Sequence, residues 1–129
     1  MPENDESALK GKTGLTRLIN ATRYSRDGIA AAWKSEEAFR QELVLAVILT
    51  PIALILPVDL SLRLLCILSM AFVLVTELLN SGIEAAIDRI GPELHPLSKF
   101  AKDAGSAAVL ISLTASAIVW ASVIWALLA

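Results

Sequence analysis

The sequence has one cysteine, one histidine and one tyrosine among 129 residues, and aromatics make up only 5%. The lone Cys66 excludes an intramolecular disulfide, and its apolar neighbourhood makes it packing filler. A net charge of −2 gives no sign of a nucleic-acid partner, and none is expected. The opening "MPENDESALKGK" has no apolar core of the kind a cleavable signal peptide carries. "GKTG" at 11–14 looks like a fragment of a phosphate-binding loop. The full pattern needs glycine where Glu6 stands, and no strand precedes it. The glycine-rich loop, catalytic loop and metal-binding triplet of the protein kinases are missing too. No internal repeat and no interdomain linker is visible.

What the chain has is apolar length. Hydrophobic residues make up 56% and the mean hydropathy is +0.66, too apolar for a soluble domain of this size to bury. Apolar stretches fall at about 43–58, 62–90 (its last part a helical continuation) and 104–129. The third easily exceeds the roughly 20 residues that cross a hydrocarbon core. The first is short and holds Pro51 and Pro57, so it needs help from the preceding segment or a thinner local bilayer, or else is a buried or re-entrant helix. "PVDLS" at 57–61 reads as an external turn. The expected fold is an all-α membrane protein: three spans behind an N-terminal amphipathic surface helix at about 14–34, with residues 1–13 a disordered polar tail and 14–129 one membrane-embedded domain.

Seven of the eleven Lys and Arg residues precede residue 43, and Arg89, Lys99 and Lys102 lie between the second and third spans. The positive-inside rule then puts the N-terminus and the 89–103 region in the cytoplasm and the C-terminus outside. In the surface segment, Leu15, Leu18, Ile19, Thr22, Ile29 and Trp33 share one side, and Arg17, Asn20, Arg23, Asp27 and Lys34 point elsewhere. Gly28 is a candidate break in that helix.

The chemistry sits in "TELLNSGIEAAIDR", residues 76–89. At 100° per residue, with Glu77 at zero, Asn80 falls at about −60°, Glu84 at about −20° and Asp88 at about +20°, one polar stripe on a membrane helix. Glu77 lies about 22 Å along the axis from Leu62, inside the core near its cytoplasmic edge. A charged carboxylate there costs about 2–3 kcal/mol, so it needs a reason. A structural polar network, a proton or ion path and a Mg²⁺ site are the three readings of the stripe. "SEEAFRQEL" (35–43) brings Glu36, Glu37, Arg40 and Glu42 to the same membrane edge. "HPLSKFAKDAGSAAVL" (95–110) brings His95, Lys99, Lys102 and Asp103. His95 before Pro96 reads first as loop filler, and Ala101, Gly105, Ala108 and Ser112 form a small-residue stripe for close helix packing. Carboxylates, a divalent ion and a lysine are the parts that phosphoryl transfer uses.

"AFRQE" (38–42), "ELLNSGIEAAIDRI" (77–90) and "AKDAGSAAVLI" (101–111) closely resemble the small integral-membrane diacylglycerol kinases of bacteria, from about Gly14 to the C-terminus. Only the tail before Gly14 looks longer than usual, and it is expected to be dispensable. The resemblance implies a homotrimer in the inner membrane, with composite sites between protomers, that phosphorylates sn-1,2-diacylglycerol to phosphatidic acid with ATP and Mg²⁺. It implies Glu77 as general base, Asn80 steadying the site, Glu36 and Glu84 on the metal, and Lys102 with Asp103 on the phosphates. Arg17, Tyr24, Glu93, Leu94 and His95 would help bind nucleotide, and Trp33, Arg40, Glu42, Arg63 and Ser106 match lipid-side positions. Two alternatives stand beside it: an undecaprenol kinase, which keeps the chemistry and changes the acceptor, and a non-enzymatic ion-conducting or scaffold oligomer. "FRQE" and "GSAAVL" lean toward diacylglycerol. Without a nucleophile motif, direct transfer is expected rather than a phosphoenzyme.

Overall fold

A computed structural model describes residues 14–129, and the polar tail at 1–13 lies outside the described residues. Four helices follow one another: α1 (Leu15–Ser35), α2 (Glu37–Ile55), α3 (Leu60–Ile90) and α4 (Pro96–Leu128). The last three are long and apolar enough to cross a membrane. The chain divides into two compact units, one ending at Ala31 and one running from Ala32 to Ala129.

In the first unit, α1 runs unbroken through Gly28, contrary to the expected break. A single glycine costs a helix interior about 1 kcal/mol, too little to stop it without a second breaker nearby. Leu15, Leu18, Ile19 and Ile29 are all exposed.

In the second unit α3 is the middle helix, packed on α2 at one side and α4 at the other. The helices begin and end differently from the apolar stretches that announce them: α2 starts six residues before Leu43, and α4 starts at Pro96 rather than near residue 104. The reason is length. At 1.5 Å per residue the 31 residues of α3 span about 46 Å and the 33 of α4 about 50 Å, against a hydrocarbon core of about 30 Å. The excess is polar helix, which a hydropathy profile ends too early. α2 also carries Pro51 inside it, and beside it Thr50 Oγ1 donates to Ala46 O at 2.6 Å.

Two arginines close the joints of this unit. Arg40 Nη1 donates to Trp33 O at 2.8 Å and to Lys34 O at 3.2 Å, taking up carbonyls at the end of α1. Arg63 Nη1 reaches Leu54 O at 2.9 Å and its Nε reaches Val58 O at 3.2 Å, across the turn between α2 and α3. A guanidinium suits both places because it offers several donors in a fixed fork to carbonyls that a helix end leaves unpaired.

The α3–α4 pair is pinned by hydroxyl rungs. Ser69 Oγ lies 3.0 Å from Ser116 Oγ, and Thr76 Oγ1 lies 2.8 Å from Ser112 Oγ. Small residues permit that approach, as the stripe on α4 anticipates. Gly105 is buried, and a Cβ there would collide with Asn80 Oδ1. Near one end of the unit, Ala53, Cys66 and Val123 form a small buried cluster from all three long helices. Cys66 is thus packing, as its sequence setting suggests.

Candidate active site

The polar ends of α3 and α4 and the loop between them line an open cavity. Its volume is about 910 Å³, and its lining includes Asp88, Glu93, Leu94, His95, Lys99, Lys102 and Asp103. The loop is shaped by Gly91, whose φ of 152° and ψ of 171° belong to a region open in practice only to glycine. A Cβ at Gly91 would collide with the Glu93 carboxylate. Next comes a cap that the sequence did not reveal. His95 Nδ1 accepts a hydrogen bond from Leu97 N at 3.1 Å, and Pro96 fills the first helical position of α4. His95 therefore starts a helix as well as lining the cavity.

Charges alternate across this cavity. Lys102 Nζ donates to Asp88 Oδ1 at 2.9 Å, bridging α4 to α3, and Glu84 lies within its electrostatic reach. Lys99 Nζ donates to Asp103 Oδ2, one turn along α4. Both pairs are well exposed, so neither adds much to stability. Their consequence is placement: two ammonium groups stand at the cavity wall on partners that an incoming phosphate can displace.

Deeper along α3 the polar stripe splits between its neighbours. Asn80 Nδ2 donates to Glu84 Oε1 at 3.3 Å, while Asn80 Oδ1 is buried against Gly105 with no protein partner. Glu77, only 7% exposed, turns toward α2 and meets the Glu42 carboxyl. A carboxylate at that place is a group that could accept the proton of an attacking hydroxyl.

A sequence model of the family described as prokaryotic diacylglycerol kinase matches residues 23–124. The chain belongs to that family. A diacylglycerol kinase of Pseudomonas aeruginosa is 49% identical over 118 residues, covering 92% of this chain and 96% of the relative. One from Escherichia coli K12 is 50% identical over 113 residues, covering 88% and 93%. One from Helicobacter pylori 26695 is 44% identical over 114 residues, covering 88% and 89%. As a member of the diacylglycerol kinase family the chain is a lipid kinase, which sets aside the ion-conducting or scaffold reading.

For a diacylglycerol kinase, the residues picked out by sequence sort into three groups. Glu93, Leu94, His95, Lys102 and Asp103 share the cavity. Glu77, Glu42, Asn80 and Glu84 form the deeper polar step on α3 and α2. The others lie on other segments of the chain. Arg17 and Tyr24 lie on exposed α1 in the first unit; Arg40 and Arg63 are engaged at the helix joints; Ser106 is exposed on α4. Trp33 is partly exposed near the end of α1, and Glu36 occupies the break between α1 and α2, as the cap of α2. Sequence reasoning missed Asp88 as the partner of Lys102, Lys99 as the partner of Asp103 and Gly105 as the seat of Asn80. The i,i+4 spacing of Lys99 and Asp103 was the one signal available.

Among the described residues no three His, Cys, Asp or Glu side chains converge on a ready-made cation site. Mg²⁺ is commonly held by one or two carboxylates together with substrate phosphates and water. Glu84 offers hard oxygen donors, and the hydrogen bond it accepts from Asn80 is a long one.

Proposed function

We propose that this kinase transfers the γ-phosphoryl group of ATP directly to the free hydroxyl of sn-1,2-diacylglycerol, giving phosphatidic acid at the cytoplasmic surface of the inner membrane. The observation that carries this reading is the buried Glu77 carboxylate, set deeper along α3 than a cavity walled by Lys99 and Lys102. The hydroxyl of a lipid arrives from the bilayer side and the nucleotide from the aqueous side.

The roles follow from chemistry and depth. Glu77 accepts the hydroxyl proton as the oxygen attacks. Lys102, released from Asp88, neutralises phosphate oxygens, and Asp103 holds Lys99 at the same wall. Asn80 steadies Glu84. Glu36 and Glu84 would hold Mg²⁺, which when bound neutralises charge on the phosphates. Arg17, Tyr24, Glu93, Leu94 and His95 serve nucleotide binding, and Trp33, Arg40, Glu42, Arg63 and Ser106 the lipid side. The assembly is a homotrimer whose sites draw on neighbouring protomers. In it α1 lies in the membrane interface, where its exposed Leu15, Leu18 and Ile19 meet lipid. The N-terminus is cytoplasmic and the C-terminus outside.

The test offers Mg-ATP with diacylglycerol or undecaprenol, separately, to purified protein in mixed micelles. Phosphatidic acid is expected to form well above undecaprenyl phosphate. Faster undecaprenol turnover would keep the mechanism and replace the acceptor. The metal assignment has its own check: Glu84→Gln is expected to raise the Mg²⁺ concentration for half-maximal rate at least tenfold, as loss of one of two carboxylate ligands should. An unchanged Mg²⁺ titration would remove Glu84 from the metal.

A further inference from the structure

Glu77 is useful as a base only while α3 keeps one rotational setting, because a small roll of the helix would turn its carboxylate from the α2 side into lipid. One contact at its own level opposes that roll. Thr76, the residue immediately before Glu77, is 7% exposed, and its Oγ1 lies 2.8 Å from Oγ of fully buried Ser112 on α4. Each hydroxyl also reaches a carbonyl of its own helix three residues back, Val73 O at 2.9 Å and Val109 O at 2.8 Å. The proton count closes. One hydroxyl donates across the bridge, the other donates back to its own helix, and no hydrogen is left unpaired.

We infer that the Thr76–Ser112 bridge is a positioning pair for Glu77, a role that rests on Glu77 being the base. Consecutive helical residues point about 100° apart. Tying Thr76 to α4 therefore fixes Glu77 toward α2, where the Glu42 carboxyl meets it. Neither hydroxyl touches nucleotide or lipid in the proposed transfer; they act through the helix. The second bridge, Ser69–Ser116, has the same chemistry and lies eight residues before Glu77 on α3, about 12 Å along the axis from the base, so it pins packing without setting the angle of Glu77. The two bridges thus supply an internal comparison between packing and positioning.

Thr76→Val keeps the side chain's shape and removes the bridge; Ser112→Ala removes it from the other side. Both are expected to lower kcat about tenfold to hundredfold, the scale at which small misplacements of a catalytic group act, with KM for Mg-ATP within twofold of wild type. Thr76→Ser, which restores the hydroxyl, recovers most of the lost kcat. Ser116→Ala breaks the distant bridge and keeps wild-type kcat. Should Thr76→Val fail to fold, Ser112→Ala carries the comparison alone. Wild-type kcat in folded Ser112→Ala, or an equal loss in Ser116→Ala, would overturn the positioning role and leave a packing contact. Glu77→Gln assayed alongside separates the two readings. If it is inactive while the bridge variants match wild type, the bridge alone falls; if it is active, the base falls and the bridge's role with it.

Discussion

Glu77→Gln is expected to abolish lipid phosphorylation while leaving the protein folded and in its wild-type oligomeric state. Glutamine keeps the length and shape of glutamate, so the packing of α3 on α2 and α4 survives. What it loses is the capacity to take a proton. General base catalysis is worth about 10²–10⁴ in rate, and kcat should drop by that range with little change in KM for Mg-ATP. The burial of Glu77 sharpens the expectation, since at 7% exposure no bulk water stands ready to replace it as proton acceptor. Glu42 touches it but belongs to another helix, so it cannot take over without movement of α2. Turnover by folded Glu77→Gln within threefold of wild type would remove the base from the mechanism. The informative assay is phosphorylated lipid per protein at saturating diacylglycerol and ATP, with thermal melting and size-exclusion profiles taken on the same preparation.

Much of this architecture could be read from the residues because membrane spans obey length and hydropathy rules that need no tertiary knowledge. The E-x-x-N-x-x-x-E-x-x-x-D stripe was visible because a helix converts spacing into azimuth, and its polar residues do meet partners rather than lipid. The partners themselves were not readable. Lys102 could have faced any acid of its membrane edge; only the crossing of α3 and α4 puts it on Asp88. Gly105 belongs to a small-residue stripe that predicts close packing in general. That it makes room for Asn80 in particular depends on register between helices distant in sequence. The ends of the helices were misplaced for a plainer reason: hydropathy stops at the first charges, whereas backbone hydrogen bonding continues through Glu37–Glu42 and Pro96–Asp103. Those polar extensions are where the candidate site is built.

Lys102 is the second point at which a large effect is expected. Its ammonium stands 2.9 Å from Asp88 at the cavity wall, on the same helix end as Asp103 and within electrostatic reach of Glu84. Phosphoryl transfer spreads charge over the oxygens of the moving group, and a fixed cation there is worth about 10²–10³ in kcat. Lys102→Met keeps the aliphatic stem and removes the charge, so kcat should drop by that amount with folding intact. The pair with Asp88 is exposed, so its loss costs the fold little. Asp88→Asn distinguishes a lysine that works from one that merely bridges. If Asp88 only parks the ammonium until phosphate arrives, its neutralisation leaves kcat within a few fold of wild type. Equal losses in Asp88→Asn and Lys102→Met would instead make the α3–α4 ion pair the functional unit. A Lys102→Met enzyme with wild-type kcat would show that Lys102 serves only the bridge, and the phosphate charge would have to be met by Lys99 across the same cavity.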